Sequence, residues 1–185
     1  EKCDDKGRTY IELDGIVPQP KTLIAPKCYF KSDMSEFVEK AIDILTLPLI
    51  FKESFGSFGA QVFLCNTKEE IYSHISEKPF ILQKFIIDSK GHDKRIEIIG
   101  GKFICAAERE NKNGGTMTPC KPTEKEIETA IKACETLGLT FGGVDILDDG
   151  SVCEVNSNAH IINIMNSTKI DIAPYIFETI KEKIK

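Results

Sequence analysis

The sequence excludes several classes of protein by what it lacks. No apolar run approaches the roughly 20 residues of a membrane-spanning helix, so no membrane partner is expected. No secretory signal is visible, but the chain opens on Glu1 rather than methionine, so that absence carries little weight. The seven cysteines are odd in number, irregularly spaced and without a CxxC pair, which points away from a disulfide framework or a zinc site. Cys105, Cys134 and Cys153 lie inside apolar patterns, where cysteine behaves as a small hydrophobe, and a reduced, cytoplasmic protein is expected. Positive charge is not in excess. The net charge is −5, with Lys and Arg spread along the chain, which argues against a nucleic-acid binder held by phosphate contacts. There is no internal repeat and no low-complexity segment.

What is present is an ordinary globular composition, 41% hydrophobic and 29% charged over 185 residues, enough for one domain or two small lobes. A short helix is expected around Arg8–Leu13, followed by a proline-punctuated extended segment. Phe37, Val38, Ala41, Ile42 and Leu45 keep helical spacing over Ser35–Thr46. "LPLIFKES" and "AQVFLC" read as a hairpin around "FGSFG", and Thr67 with Glu70 as a capping box. "PFILQKFI" reads as an apolar strand, and "RIEIIG" with "FICAAERE" as a second hairpin. Thr123 and Glu126 open a helix with Ile127, Ile131 and Cys134 on one face, ending near Gly138. Two strands, "GGVDILD" and "SVCEVN", follow. A last helix from Asp171 is expected to turn Ile172, Ile176, Phe177 and Ile180 inward. Hairpins without strict βαβ alternation indicate an α+β protein.

Several stretches carry chemistry-bearing residues, each with a plainer alternative. The glycine-containing turn with Gly56, Ser57 and Gly59 offers backbone N–H groups to a phosphate, and Lys52 adds a point charge; otherwise it is a plain hairpin loop. It is not a P-loop, since GxxxxGK[ST] is absent. Gln83 on "ILQKFI" offers an amide to an adenine edge, or lies in a core strand. Asp93 and Arg95 share one strand face, as cleft residues or an exposed ion pair. His92 reads as a turn histidine. Arg109 is either an anchor for a carboxylate or phosphoryl group or an exposed arginine. Glu154 and Asn156 share a face, with Cys153 and Val155 opposite, and Asp145 lies on the preceding strand. Three oxygen donors so placed suit a hard cation such as Mg²⁺, or decorate an acidic hairpin. Asp148 and Asp149 of the turn are expected to be solvated.

Taken in order, "DDKGRTY…GIVPQPKT", "LPLIFKESFGSFGAQVFL", "ILQKFI…SKGHDKRIEIIGGKFICAAER", "GGVDIL" and "EVNSNAH" resemble the RimK-like carboxylate–amine ligases of the ATP-grasp family over almost the whole chain. The resemblance implies a leading segment over residues 1–26, a small lobe over 27–86 and a large lobe over 87–185, with ATP between the lobes. It implies nucleotide contacts from Lys6, Lys52, the turn with Gly56, Ser57 and Gly59, the segment Gln83, Lys84, Phe85 and Ile86, and Lys90 and Asp93. Arg95 and Arg109 match arginines at the phosphoryl-transfer centre or acceptor. Asp145, Glu154 and Asn156 match the ligands of Mg²⁺, with Mn²⁺ as a substitute.

The implied chemistry is activation of a carboxylate by ATP as an acyl phosphate, followed by attack of an amine. The expected partners are a small-molecule or peptide carboxylate and an amine or amino acid. Three departures are visible. Lys84 stands where relatives often have Glu, the "ENKNGG" loop is short, and "NSNAH" replaces a Pro–Gly pair. The latter two bear on the acceptor more than on ATP. The family's N-terminal domain is not seen ahead of Lys6, so the chain reads as a fragment that binds nucleotide but lacks full ligase activity. The competing reading is a nucleotide-binding module without catalysis, and a weaker one is a small-molecule kinase. Replacing Asp145 or Glu154 by alanine is expected to weaken Mg-dependent binding and leave the fold intact.

Overall fold

A computed structural model describes residues 2–56, 59–110, 116–157 and 161–184. The chain divides into two compact units. The first holds the N-terminal residues to Ile11 and Gln19–Ile86; the second holds Glu12–Pro18 and the residues from Ile87 onward.

The first unit holds α1 (Lys6–Leu13) as far as Ile11 and contains a four-stranded antiparallel sheet, ordered β1–β4–β2–β3. Its strands are β1 (Thr22–Ile24), β2 (Leu49–Glu53), β3 (Val62–Cys65) and β4 (Phe80–Lys84). The helices α2 (Ser35–Leu45) and α3 (Lys68–His74) complete it. α2 forms because its apolar residues recur at helical spacing, and it buries Val38, Ala41 and Leu45. These meet Leu49 and Phe51 of β2, Phe80 and Leu82 of β4, and Ile71 of α3 in one core. Phe51 stacks on Phe80 with ring centroids 4.7 Å apart. The Thr67 hydroxyl accepts from the Glu70 N–H, but the Glu70 carboxylate takes the Asn66 N–H at 2.6 Å, one residue ahead of the cap.

The second unit is built on a five-stranded antiparallel sheet, ordered β7–β6–β5–β8–β9. The strands are β5 (His92–Ile99), β6 (Lys102–Glu110), β7 (Thr116–Pro119), β8 (Phe141–Ile146) and β9 (Val152–Asn156). β5 and β6 turn through Gly100 and Gly101, both at positive φ, as a two-residue hairpin of this hand requires. A β-carbon on Gly100 would also lie 2.8 Å from the Thr179 hydroxyl.

α4 (Glu124–Leu137) covers one sheet face. Its buried stripe is Glu126, Thr129, Ala130, Ala133, Cys134 and Leu137. Ile127 and Ile131 are only half-buried, so the inward face is rotated from the one the apolar spacing picks out. Small residues allow close approach to Ile96, Val144 and Ile146, all fully buried. The other sheet face meets α5 (Ile161–Thr168), where Ile164 joins Cys105 and Ala107.

Sequence reading misses α5 and β7. "IINIMNST" is rich in β-branched, Asn and Ser residues of poor helix propensity, so packing rather than local preference forms it. "TMTP" is short and proline-ended, tolerated because β7 is an edge strand. In α6 (Ala173–Ile184), Ile172 just ahead is buried and Ile176 half-buried. Phe177 and Ile180 turn outward, at 64% and 40% exposure, contrary to the expected inward set.

α4 opens with a complete capping box: the Thr123 hydroxyl accepts from the Glu126 N–H, and the Glu126 carboxylate accepts from the Thr123 N–H at 2.6 Å. Burial pushes the Glu126 carboxyl up, but the Lys94 ammonium at 2.8 Å and the Thr123 donors outweigh it and hold the group below its ordinary 4.5. A depressed folded value means this stabilisation is complete above about pH 4.5 and is lost as pH falls through the lowered value. Thr123→Ala should therefore cost about 1 kcal/mol in urea unfolding at neutral pH. Glu126→Gln should flatten the acid limb of the stability profile, read from Tm between pH 3 and 7.

Candidate functional site

The predicted site residues fall into two sets, one in each unit. In the first unit, α1 begins at Lys6, whose N–H donates to the Ser54 carbonyl and whose ammonium donates to the Gly56 carbonyl, each at 2.9 Å. This ties the helix start to the exit of β2. Lys52, one turn of pleat earlier, is 9% exposed and sits between Val62 of β3 and Ile81 of β4. Gly56 has φ +144°, and a β-carbon there would collide with the Gln61 side chain; Gly59 has φ +68°. The turn thus needs glycine at both positions. Ser57 lies outside the described residues.

β4 runs between β1 and β2, so the sheet consumes its backbone groups as far as Lys84. The Lys84 N–H donates to the Lys21 carbonyl at 2.8 Å. Gln83 is buried, and its amide nitrogen donates to the Thr22 hydroxyl at 2.8 Å, holding β4 to β1. Phe85 and Ile86, half-buried, lie beyond the ladder and the Lys84 side chain is exposed.

In the second unit the strand register assembles a buried ionic group. Arg95 stands opposite Asp145, and Asp93 opposite Arg109. The Arg95 guanidinium grips Asp145 with two N–H groups, one through Nε to Oδ1 and one from Nη2 to Oδ2 at 2.8 Å. Arg109 donates to both Asp93 oxygens at 2.7 and 3.0 Å, and its Nη2 also reaches Asp145 Oδ2 at 2.7 Å. Asp145 is completely buried. Burial and the neighbouring Asp145 charge push the Asp93 carboxyl above the ordinary carboxylate range, against the pull of Arg109. Burial works against the Arg95 charge, but Asp145 outweighs it and holds the guanidinium more firmly protonated.

Asp145 pairs across to Glu154, and the Asn156 amide nitrogen lies 3.4 Å from Asp145 Oδ2. The oxygen donors expected to hold a cation therefore meet on one face. Among the described residues no cluster of three His, Cys, Asp or Glu side chains forms. Two carboxylates and an amide are still a fitting donor set for Mg²⁺, which takes few protein carboxylates and completes its shell with phosphates and water. A bulge shifts the register after Asp145, and Cys153 is half-buried within electrostatic reach of Arg109 rather than lying in the core as expected. Lys90 is exposed on the turn before β5. His92 belongs to β5, not to a turn, with Nδ1 3.2 Å from Asp148.

The sequence matches the RimK-like ATP-grasp domain over residues 6–180. The chain belongs to the RimK-like ATP-grasp family. Human beta-citrylglutamate synthase B is 32% identical over 195 residues, covering 94% of this chain and 49% of that protein. A probable alpha-L-glutamate ligase of Coxiella burnetii is 36% identical over 155 residues, 75% of this chain and 52% of the relative. The chain thus spans about half the length of the curated relatives it matches. The ATP-grasp ligase PsnB, solved with a phosphomimetic precursor variant, Mg and ADP, superposes with a TM-score of 0.73 at 18% identity, covering all of this chain and 60% of that one. The fold of this RimK-like chain is accordingly the α+β ATP-grasp fold.

Within this family member, the "NKNGG" stretch, residues 111–115, and the tail Asn158, Ala159 and His160 lie outside the described residues. Glu97 is a site-face residue that the sequence reading passed over. It is 3% exposed and continues the Asp93, Arg95 alternation. That period-two signal was available, but a single glutamate in a hairpin reads more simply as a surface charge.

The burial of Asp145 changes one expectation. Asp145→Ala would take from the Arg95 guanidinium the carboxylate it grips, while Arg109 keeps Asp93, and should cost about 3–5 kcal/mol. Glu154 is half-buried, and Glu154→Gln keeps its shape while removing one charge, so its cost should stay below that of Asp145→Ala. Urea denaturation of the two variants checks both; equal stabilities would contradict this account of the ionic group.

Proposed function

We propose that the chain is the nucleotide- and metal-binding part of a carboxylate–amine ligase, with ATP and Mg²⁺ as cofactor and co-substrate. Family membership and the relatives' names, glutamate ligases and synthases, support this. The single observation that carries it in the structure is the buried Arg95–Asp145–Arg109 arrangement beside the oxygen donors Glu154 and Asn156.

The chemistry suits these residue types. A substrate carboxylate oxygen attacks the γ-phosphorus of ATP; ADP departs and an acyl phosphate remains. The amine nitrogen then attacks the acyl carbon, inorganic phosphate leaves, and the nitrogen loses a proton. The protein's part is alignment and charge neutralisation rather than covalent catalysis. Lys6 and Lys52 supply positive charge for the nucleotide phosphates, and the turn with Gly56, Ser57 and Gly59 supplies backbone donors. Phe85 and Ile86, past the end of the ladder, offer the backbone groups for adenine, with Gln83 and Lys84 ahead of them. Lys90 and Asp93 belong to the nucleotide side in this reading, and Arg95 and Arg109 to the transferred phosphoryl group. Mg²⁺ held by Asp145, Glu154 and Asn156 would neutralise phosphate charge. Asp145 Oδ2 accepts from Arg95, Arg109 and Asn156 and Oδ1 from Arg95 alone, so Oδ1 is the oxygen with a lone pair left for a cation.

Glu154→Gln should weaken Mg-ATP binding about tenfold or more by calorimetry, with unchanged affinity refuting the metal assignment. Lys52→Ala should weaken nucleotide binding about tenfold by calorimetry; unchanged affinity would assign the buried Lys52 to packing instead. Acceptor screening with phosphate release, on the full-length protein, tests the reaction. Tight Mg-ATP binding without turnover of any carboxylate–amine pair would leave a nucleotide-binding module. A phosphorylated product that persists in the presence of amine would make it a kinase.

A further inference from the structure

The turn between β8 and β9 reaches beyond the two strands it joins. Its own bonds hold it in shape: the Leu147 N–H donates to the Ser151 carbonyl at 2.9 Å, and the Gly150 N–H to the Leu147 carbonyl at 2.8 Å. Asp149 keeps its carboxylate within the turn, where Oδ1 accepts from the Ser151 N–H at 2.9 Å and the Ser151 hydroxyl at 2.5 Å. A carboxylate bonded to the backbone two residues on fixes a turn locally. Just past it, the Val152 N–H donates to the Pro18 carbonyl at 2.8 Å, which anchors the returning strand as well.

Asp148 directs its polar groups to a distant part of the chain. Its N–H donates to the Ser89 hydroxyl at 2.6 Å, across 59 positions of sequence. Its carboxylate lies 3.2 Å from His92 Nδ1. Ser89 is buried and ends the short 3₁₀ turn Ile87–Ser89 that leads into β5. His92 is the first residue of β5, and its Nε2 faces Glu108 of β6 at 3.9 Å.

Lys90 lies between these two anchors. Ser89 and His92 bracket it, both held by Asp148, and the Lys90 N–H donates to the Ile87 carbonyl at 3.2 Å. The Lys90 side chain is exposed, and its ammonium takes no partner among the described residues. A lysine on a surface turn loses much rotamer freedom when it binds an anion, so a fixed backbone beneath it lowers the cost. Here the fixing element is the hairpin that carries Asp145, Glu154 and Asn156.

We propose that Asp148 is a positioning residue of the nucleotide site: by holding Ser89 and His92 it fixes Lys90 relative to the strands that carry the metal ligands. The ligand class it serves is a polyphosphate nucleotide carrying a divalent cation. This role rests on the assignment of Lys90 and the metal ligands in the ligase reading, whereas the clamp itself stands on the contacts of Asp148. Asp148 touches neither nucleotide nor metal in this role and acts through Lys90.

Two measurements on the whole chain test it: hydrogen exchange of the Lys90 amide without ligand, and Mg-ATP binding by calorimetry. Asp148→Asn removes the charge and Ser89→Ala the hydroxyl, and the two are also combined. In the combined variant the Lys90 amide should exchange about fivefold faster, and Mg-ATP affinity should fall about fivefold. Asp148→Asn alone, a change at an exposed position, should shift both in the same direction if the combined variant fails to fold. Placed in a Lys90→Ala chain, the same substitutions should lower the affinity no further, because the clamp acts through that lysine. Unchanged exchange would overturn the clamp. Unchanged Mg-ATP affinity in the combined variant or in Lys90→Ala, or an equal fall with and without Lys90, would overturn the positioning role. A wild-type chain that binds no Mg-ATP, with Lys90 exchange still responding to the substitutions, would overturn the ligase reading and the role in nucleotide binding while the clamp stands.

Discussion

The second unit depends on one constraint: a carboxylate with no exposure to water must be matched by fixed positive charge. Asp145 meets it with Arg95 on the neighbouring strand and Arg109 one strand further. Arg109 in turn is held by Asp93. The chain of contacts therefore locks β8, β5 and β6 in one register. A slip of one residue would turn Arg95 toward α4 and leave Asp145 stranded. Planar, two-pronged guanidinium groups suit this role better than lysine, because each engages both oxygens of a carboxylate in fixed geometry.

That lock also separates the two faces of the sheet. Ile96, Val144 and Ile146 turn toward α4 and are fully buried without charge. Asp93, Arg95 and Glu97 turn the other way with Asp145, and α5 packs on that face at Cys105 and Ala107. The same face carries charge, oxygen donors and a cavity walled in part by Ile161 of α5. The arrangement resembles a functional surface because buried charge is expensive, and here it gathers beside space rather than dispersing at the rim.

Much of this was legible in the sequence. Alternation put Asp93 and Arg95 on one face, and also Glu154 and Asn156. The strand–turn–strand order placed Asp145 opposite them. Thr123 with Glu126 announced the start of α4, and Gly138 its end. What was not legible came from packing. The pattern of α4 favoured Ile127 and Ile131, but the sheet surface accepts the smaller Ala130 and Ala133. α5 has little intrinsic helix preference and forms against Cys105 and Ala107. Phe177 and Ile180 have the spacing of an inward stripe and still lie outside. Glu97 followed the visible alternation, yet nothing local distinguished a buried glutamate from an exposed one.

The sequence by itself determined the family, the antiparallel α+β layout and the identity of most charged residues on the site face, because those rest on local order and on period-two and helical spacing. The tertiary structure decided how the charges are used. It made Asp145 a structural hub as well as a candidate metal ligand, committed the Gln83 amide nitrogen to Thr22, and buried Glu97. The physical reason is that pairing of charges across strands, and the space left between a sheet and its helices, depend on residues far apart in the chain. No local pattern records which carboxylate an arginine grips.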